Sequence, residues 1–397
     1  MTIITATILD NAVRTQYEAA YIEGAMRARL YDQLASPIGS NMAELGKGSS
    51  VTVNFLSTLA PSDQTISTSA DITPQVLRDA TATLTPTSRA NAIQVAEVLE
   101  LQAYTDLTAK WMQRIGQNMM ESIDQLACDA ALGGSLVKRA VARASLDAGT
   151  AGHRLSRAAF GAAENILMTM GVPAFMDGAT KKYLAVMHPW AYYDLLADTV
   201  VLAVGEYQDK RIVLNNELGE LGRFKLIVSP WAKVFYGAGV DNGTAVGTTL
   251  SAAASALSTT VEVAASTNIA AGQRIAIGTE ETAGTFYDDN ETVIVASISS
   301  TTVTIVGSGE NGGLKYDHAA GVAFRNADNV IPVAFGGPES MAKVYATEVG
   351  EWGQVVGPKR DGLVDQWMTL GWKYYGGYGI VAQNRIVRGE YSTALDA

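Results

Sequence analysis

Three stretches of this sequence hold residue types that do chemistry in other proteins. Gly307-Ser308-Gly309-Glu310-Asn311-Gly312 has the glycine spacing of a dinucleotide-binding turn and follows the strand-like run Thr302–Val306. Such a turn binds phosphate only when it opens a helix, whose first N–H groups hold the anion. Here Gly313-Leu314-Lys315-Tyr316 leads into another extended segment, so a glycine-rich turn is expected. Asp288-Asp289-Asn290-Glu291 offers carboxylates but lacks the glycine and spacing of a calcium loop, and a solvated turn is expected. His153, His188 and His318 are scattered without ligand spacing, and no nucleophile elbow occurs. His188, next to Pro189, reads as structural. The single cysteine, Cys128, has no intrachain disulfide partner and reads as a small buried hydrophobe. No catalytic constellation emerges, and no cofactor or metal is expected.

Composition narrows the classes further. The 397 residues suggest two or three domains, and 48% hydrophobic content supports real cores. A net charge of −11 gives no overall field for phosphate polyanions, which argues against a nucleic-acid reader. The start, Met1-Thr2-Ile3-Ile4, lacks a basic region ahead of an apolar run, so no secretory signal is expected. The uncharged run 242–261 is rich in Gly, Ser and Thr, so no membrane span is expected either.

The most strongly patterned element runs from Tyr104 to Leu132. Leu107, Trp111, Ile115, Met119, Ile123, Leu126 and Ala130 recur every three or four residues. Lys110, Gln113, Arg114, Gln117, Glu121 and Asp124 fall opposite. That predicts one long amphipathic helix, with Thr105 as N-cap and Gly133-Gly134 as its stop. Trp111, Ile115, Met119 and Ile123 are its expected core residues; Trp111→Ala should cost about 3–5 kcal/mol if that site is buried.

Upstream, Asp10 or Asn11 caps an expected helix running to about Ala35, with Tyr17 and Tyr21 on a tyrosine-rich side suited to a partner or neighbouring lobe. Alternation at 49–55, 80–85 and 92–98 predicts strands of a long hairpin whose middle, 57–74, is a polar, mobile tip. Downstream, Ser156 caps a helix with Phe160, Ala163, Leu167 and Met170 on one face. A strand, 183–187, ends at His188-Pro189, which starts another helix. Strands are expected at 211–214 and 225–228, making an α/β lobe. From 239 to 324 the chain turns to Gly, Ser, Thr, Ala and Val, with short strands at 260–263, 274–277, 292–297, 302–306 and 322–324. That is the spacing of a small sandwich or barrel inserted at a loop tip, since 228–237 and 330–337 both look like strands of the α/β lobe.

The order of parts resembles the major capsid protein of tailed bacteriophages, with its Hong Kong-type fold. The local signals are Val186-Met187-His188-Pro189 with Tyr192, Asp194 and Leu195, then Phe335-Gly336, then Gly371-Trp372-Lys373 with Gly376 and Arg388. The resemblance implies an α+β chain with an N-terminal arm (1–46) and an extended β-hairpin loop (47–98). A spine helix and peripheral domain (99–149 with 361–397) and an axial domain (150–238 with 328–360) would follow. The inserted β domain (239–327) would be Ig-like or a barrel. It also implies an icosahedral virion shell of pentamers and hexamers around packaged double-stranded DNA, assembled in the host cytoplasm. Implied partners are other copies of the chain, a separate scaffolding protein, a portal and a decoration protein; DNA would be contacted non-specifically at most, and no membrane. Two departures from parts of the family are expected: no large scaffolding domain ahead of the arm, and no covalent cross-link from the loop, since no lysine lies between Lys47 and Lys110.

The chain therefore reads as a non-enzymatic shell subunit. The alternatives are a carbohydrate-binding or adhesive β-rich virion surface protein, with 239–325 as the binding part, and, third, an α/β enzyme. Asp63, Asp71, Arg78 and Arg89, with Tyr17 and Tyr21, are the expected subunit-interface residues.

Overall fold

The structure, a computed structural model, describes residues 30–37, 50–56, 59–66, 71–96, 107–177, 180–198, 201, 219–240, 247–279, 287–309, 311–338, 340–346, 350, 353–361 and 366–396. Thr105, the strand expected at 211–214, and Tyr17 and Tyr21 lie outside these residues.

The long helix spans Leu107–Leu132, 26 residues, or about 39 Å at the standard rise. It ends at Gly133, whose N–H donates back to Asp129 O and Ala130 O. Its two halves are buried against different sheets. Ile115, Met119 and Ile123 pack on Met368, Leu370, Trp372 and Tyr374 of the 14-residue strand Trp367–Ile380. Those four strand residues are two apart, so one face of the strand meets the helix. Trp111 is half-buried at the edge of this cluster. Its truncation should therefore cost less than the 3–5 kcal/mol of a fully buried site, which is about the loss in the tightest cores. Ile123 is fully enclosed, and Ile123→Ala should lower stability by about 2–5 kcal/mol, read by chemical denaturation. An unchanged midpoint would show that this face is not core.

The C-terminal half, Ala127, Cys128, Ala131 and Leu132, packs instead on Val186, Ala334 and Ile386 of the second sheet and on Phe235 and Val330 beside it. Asp124 was expected on the solvated side. It is buried because its Oδ1 accepts the backbone N–H groups of Leu30 (2.9 Å) and Tyr31 (3.1 Å), donors with no helical partner of their own. The helix thus joins two sheets and anchors the arm. The arm itself ends differently from expectation. Tyr31–Leu34 is a 3-10 turn and Ala35–Pro37 a strand pairing parallel with Met341–Tyr345, as the residue before a proline favours extended backbone.

The first sheet has the order Ala35–Pro37, Met341–Tyr345, Trp367–Ile380, Gln354–Asp361, with Thr87–Ala96 on the free side of the long strand. The sequence placed 92–98 in the extended hairpin. Pairing with Trp367–Gly376 wins because Ile93 then packs on the helix cluster. Gly371 permits the approach: a Cβ there would lie 2.9 Å from Asn91 O and 3.0 Å from the Ala92 Cβ. Trp372 Nε1 donates to Asn118 Oδ1 on the helix at 2.9 Å.

The second sheet has the order Val137–Lys138, Ile386–Tyr391, Ile331–Gly336, Thr180–Met187, Phe224–Val228, Glu220–Leu221, with Phe175–Asp177 beside Thr180–Met187. Ile331–Gly336 and Ile386–Tyr391 are buried along their whole length, since both faces are covered. One face meets the long helix. The other meets Phe160, Ala163 and Leu167 of the helix Arg157–Thr169, whose N-cap Ser156 accepts from Ala159 N–H. Phe160, Phe224 and Phe335 meet edge to face, 5.2–5.5 Å apart. Met170, expected on that face, is exposed at the C-cap. The strand expected over 228–237 stops at Val228, where Ser229-Pro230 turns the chain; beyond it Phe235 makes a single bridge to Val330.

Six strands between residues 247 and 325 pair only among themselves, in the order Gly247–Thr249, Ala323–Arg325, Arg274–Gly278, Glu291–Ser299, Thr302–Val306, Thr260–Glu262. The bridge Leu250–Val263, with Ser251 N–H donating to Glu262 O and Ala264 N–H to Thr249 O, joins last strand to first. The result is a small closed barrel around Ile275, Ile277, Val293, Val295, Val303, Ile305 and Phe324.

Candidate assembly surfaces

The stretches that held potential chemistry are used internally. In the 307–312 turn, Gly307 N–H donates to Gly312 O and Gly309 N–H to Gly313 O, and no helix follows. In the acidic turn, Asp288 pairs with Lys233 (3.1 Å) and Asn290 exchanges two hydrogen bonds with Thr279. Glu291 accepts from the amides of Lys315 and Tyr316 and meets His318 Nε2 at 3.0 Å. His188 is the N-cap of the helix Pro189–Leu196: its Nδ1 accepts from Trp190 N–H, and its ring meets the Trp190 indole edge to face. Burial pushes its pKa down to about 4, so the imidazole is neutral at pH 7, as an accepting Nδ1 requires. Cys128 is buried, and burial, then Asp129, push its thiol up to about 12.

The sequence did not reveal a cluster of charges under the second sheet. Glu390 is fully enclosed and lies 3.0 Å from Arg139, 2.6 Å from Arg143 and 2.9 Å from Arg388. Arg143 also sits 4.4 Å over the Phe235 ring. Arg388 Nη1 donates to Leu132 O, the last carbonyl of the long helix, so one guanidinium ties helix end to sheet. Burial alone would raise the Glu390 carboxyl. Hydrogen bonds and charge from Arg143, then Arg388 and Arg139, outweigh it and hold the pKa below the usual carboxylate value.

The surface features lie elsewhere. Val51–Leu56 and Asp79–Leu84 form a two-stranded hairpin that pairs with neither larger sheet. Among the described residues of its connection the two legs are tied by side chains. Gln64 Oε1 accepts from Thr73 N–H (2.8 Å), Gln64 Nε2 donates to Thr73 O (3.0 Å), and Gln75 Nε2 donates to Ala60 O (3.1 Å). The loop was expected to be polar. Yet Leu56, Leu59, Ile66, Ile72, Val76 and Leu77 are 50–94% exposed, because an extended ribbon has no interior in which to place them. Asp63, Asp71 and Arg78 stand exposed on the same loop, whereas Arg89 stands on the strand Thr87–Ala96 of the first sheet.

No protein-family model matches the sequence, and no curated protein matches it. Solved structures do. A chain of the cyanophage Pam1 capsid asymmetric unit superposes with TM-score 0.59 at 14% identity, over 99% of this chain and 98% of that one. A chain of the capsid of Helicobacter pylori bacteriophage KHP30 gives 0.55 at 9% identity, over 99% of each. One from the capsid of Ralstonia phage GP4 gives 0.53 at 12%, over 99% and 98%. This is the fold of phage capsid chains. The capsid fold here is α+β and sheet-rich. In this chain the His–Pro and Gly–Trp–Lys patterns have local structural reasons: a helix cap, and a strand that must admit a close neighbour.

Proposed function

We propose that this chain is the repeating subunit of an icosahedral virion shell of Hong Kong type, assembling as pentamers and hexamers around packaged double-stranded DNA. The observation that carries this reading is the extended loop. Six large apolar side chains exposed on one hairpin are a surface built for a partner. The base of the ribbon packs on its own chain, Val51, Val53 and Leu84 against Ala342 and Val344, and the exposed tip is read as docking on another copy of the same chain. A loop on one subunit and a receiving surface on the next make a heterologous contact, which closes into rings when the rotation allows. In this reading residues 1–46 are the arm, 47–98 the extended loop, 99–149 with 361–397 the spine and peripheral domain, and 150–238 with 328–360 the axial domain. Residues 239–327 are the inserted β domain. Tyr17, Tyr21, Asp63, Asp71, Arg78 and Arg89 are proposed interface residues. A scaffolding protein, a portal and a decoration protein are the proposed partners, and the role is mechanical rather than enzymatic.

Expressed alone, the chain should form very large particles, tubes or sheets by negative-stain electron microscopy. A small discrete oligomer would contradict the shell reading and favour an adhesive surface protein.

The ends of the barrel segment support its reading as an insertion. Gly239 N–H donates to Asp328 O at 2.8 Å and Asp328 N–H to Val240 O at 3.0 Å, so the chain leaves and returns at one place. Replacing 241–327 by a short glycine-serine linker should leave the remainder folded, and the excised fragment should be all-β by circular dichroism. Substantial helix in the fragment would overturn the domain assignment.

A further inference from the structure

The barrel and the rest of the chain have separate hydrophobic cores. The barrel cluster lies between Leu250 and Phe324, and none of the other four clusters takes a residue from that span. The barrel stands on a short stem in which Phe235 pairs with Val330 and Val240 with Asp328. Within the stem Gly237 turns at φ +61°, and a Cβ there would lie 2.8 Å from the Ala276 Cβ at the barrel base. The barrel therefore meets its support at a glycine.

Beyond the stem, cations tie the two parts together. Lys233 Nζ lies 3.1 Å from Asp129 on the long helix and 3.1 Å from Asp288 at the foot of the barrel, with its side chain only 9% exposed. Arg274, at the start of a barrel strand, donates to Leu395 O at 2.9 Å and lies 5.5 Å from the Trp190 ring. Lys315, from the barrel, lies 5.4 Å from the Trp231 ring. A half-open cavity of about 120 Å³ runs along this seam, lined by Trp231, Lys233, Tyr236, Asp288, Lys315 and Tyr316, so the seam is not close-packed. Polar interfaces between lobes of one chain permit relative motion.

We propose that Lys233, through its two ion pairs, and Arg274 and Lys315, through a backbone carbonyl and two indole rings, form a cationic latch that holds the barrel in its docked orientation. Releasing the latch lets the barrel move as a rigid body relative to its stem with both cores intact; the stem itself stays on the body, where Ala238 packs in the long-helix cluster and Val240 N–H donates to Leu146 O. Lys233 is central because it is shared. Asp129 belongs to the long helix, so a displacement of that helix at this turn reaches the barrel through one ammonium group. The latch rests on contacts within the chain and stands whether or not the shell reading holds.

The test measures a distance between spin labels in the full chain, at Asn165→Cys on the body and Thr301→Cys on the barrel. Both positions are exposed, and the native Cys128 is buried. Labelled chain is diluted into unlabelled chain so that only pairs within one subunit report. The expected result is one narrow distance peak for the otherwise native chain, and loss of that peak in Lys233→Met. Asp288→Asn, which leaves the Asp129 contact, should broaden it less. Arg274→Met, which removes the cation at the Leu395 and Trp190 side of the seam, should broaden it as well. A narrow peak in Lys233→Met would overturn the latch, as would broadening accompanied by loss of the near-ultraviolet tryptophan signal, which means unfolding. If Lys233→Met does not fold, a narrow peak in the double variant Asp288→Asn with Arg274→Met overturns it alone.

Discussion

Removing residues 59–75 should give a folded chain that builds no particles. The loop contributes to none of the hydrophobic clusters, and the hairpin below it, Val51–Leu56 with Asp79–Leu84, closes over the gap. Its thermal melt should match that of the intact chain, while light scattering and electron microscopy show no large species. Burying its exposed apolar groups on a neighbour would favour association at about 25 cal/mol per Å², before the cost of ordering both partners. With no lysine between Lys47 and Lys110, the contact should be non-covalent. Particles boiled in detergent should run as single chains of 41.9 kDa. Normal particles from the deletion would remove the loop from the assembly argument, and a ladder of multimers on the gel would refute the non-covalent contact.

The second large effect is inside the chain. Glu390→Ala should destabilise the protein by about 3–5 kcal/mol, the usual cost of breaking a buried ion pair by removing one partner. Two nearly enclosed guanidiniums, Arg143 and Arg388, would lose their counter-charge, and Arg388 is also what ties the long helix to the sheet. The same cluster sets an acid limit. The Glu390 pKa is lowered on folding, so its contribution is complete above the ordinary carboxylate value of 4.5 and disappears as pH falls through the lower folded-state value. Melting temperature followed from neutral to strongly acid pH should fall through that window in the native chain, and less steeply in Glu390→Gln. Equal acid slopes in the two proteins would show that other carboxylates set the limit.

What could be read from the sequence was what periodicity and punctuation encode. The long helix ends at the glycines that predicted its stop, and the His188-Pro189 helix start and the barrel strands follow their turn residues. What could not be read depended on partners far along the chain. Asp124 looks like a solvated position in any helical projection, and only the return of Leu30 and Tyr31 makes it an internal acceptor. Arg139 and Glu390 are 251 positions apart. Alternation in Thr87–Ala96 announced a strand but not which strand it pairs with. The barrel strand Gly247–Thr249 has the composition of a loop and was missed. The loop's apolar residues are spaced without a period, so they read as an unstructured polar tip; extended backbone needs no period to leave side chains exposed.

A three-dimensional reconstruction of assembled particles tests the central claim most directly. The account predicts a closed shell of pentamers and hexamers in which the Leu56–Leu77 apolar residues of each subunit lie against a neighbouring subunit. A particle in which that loop folds back on its own chain, or a preparation holding only small oligomers, would contradict it.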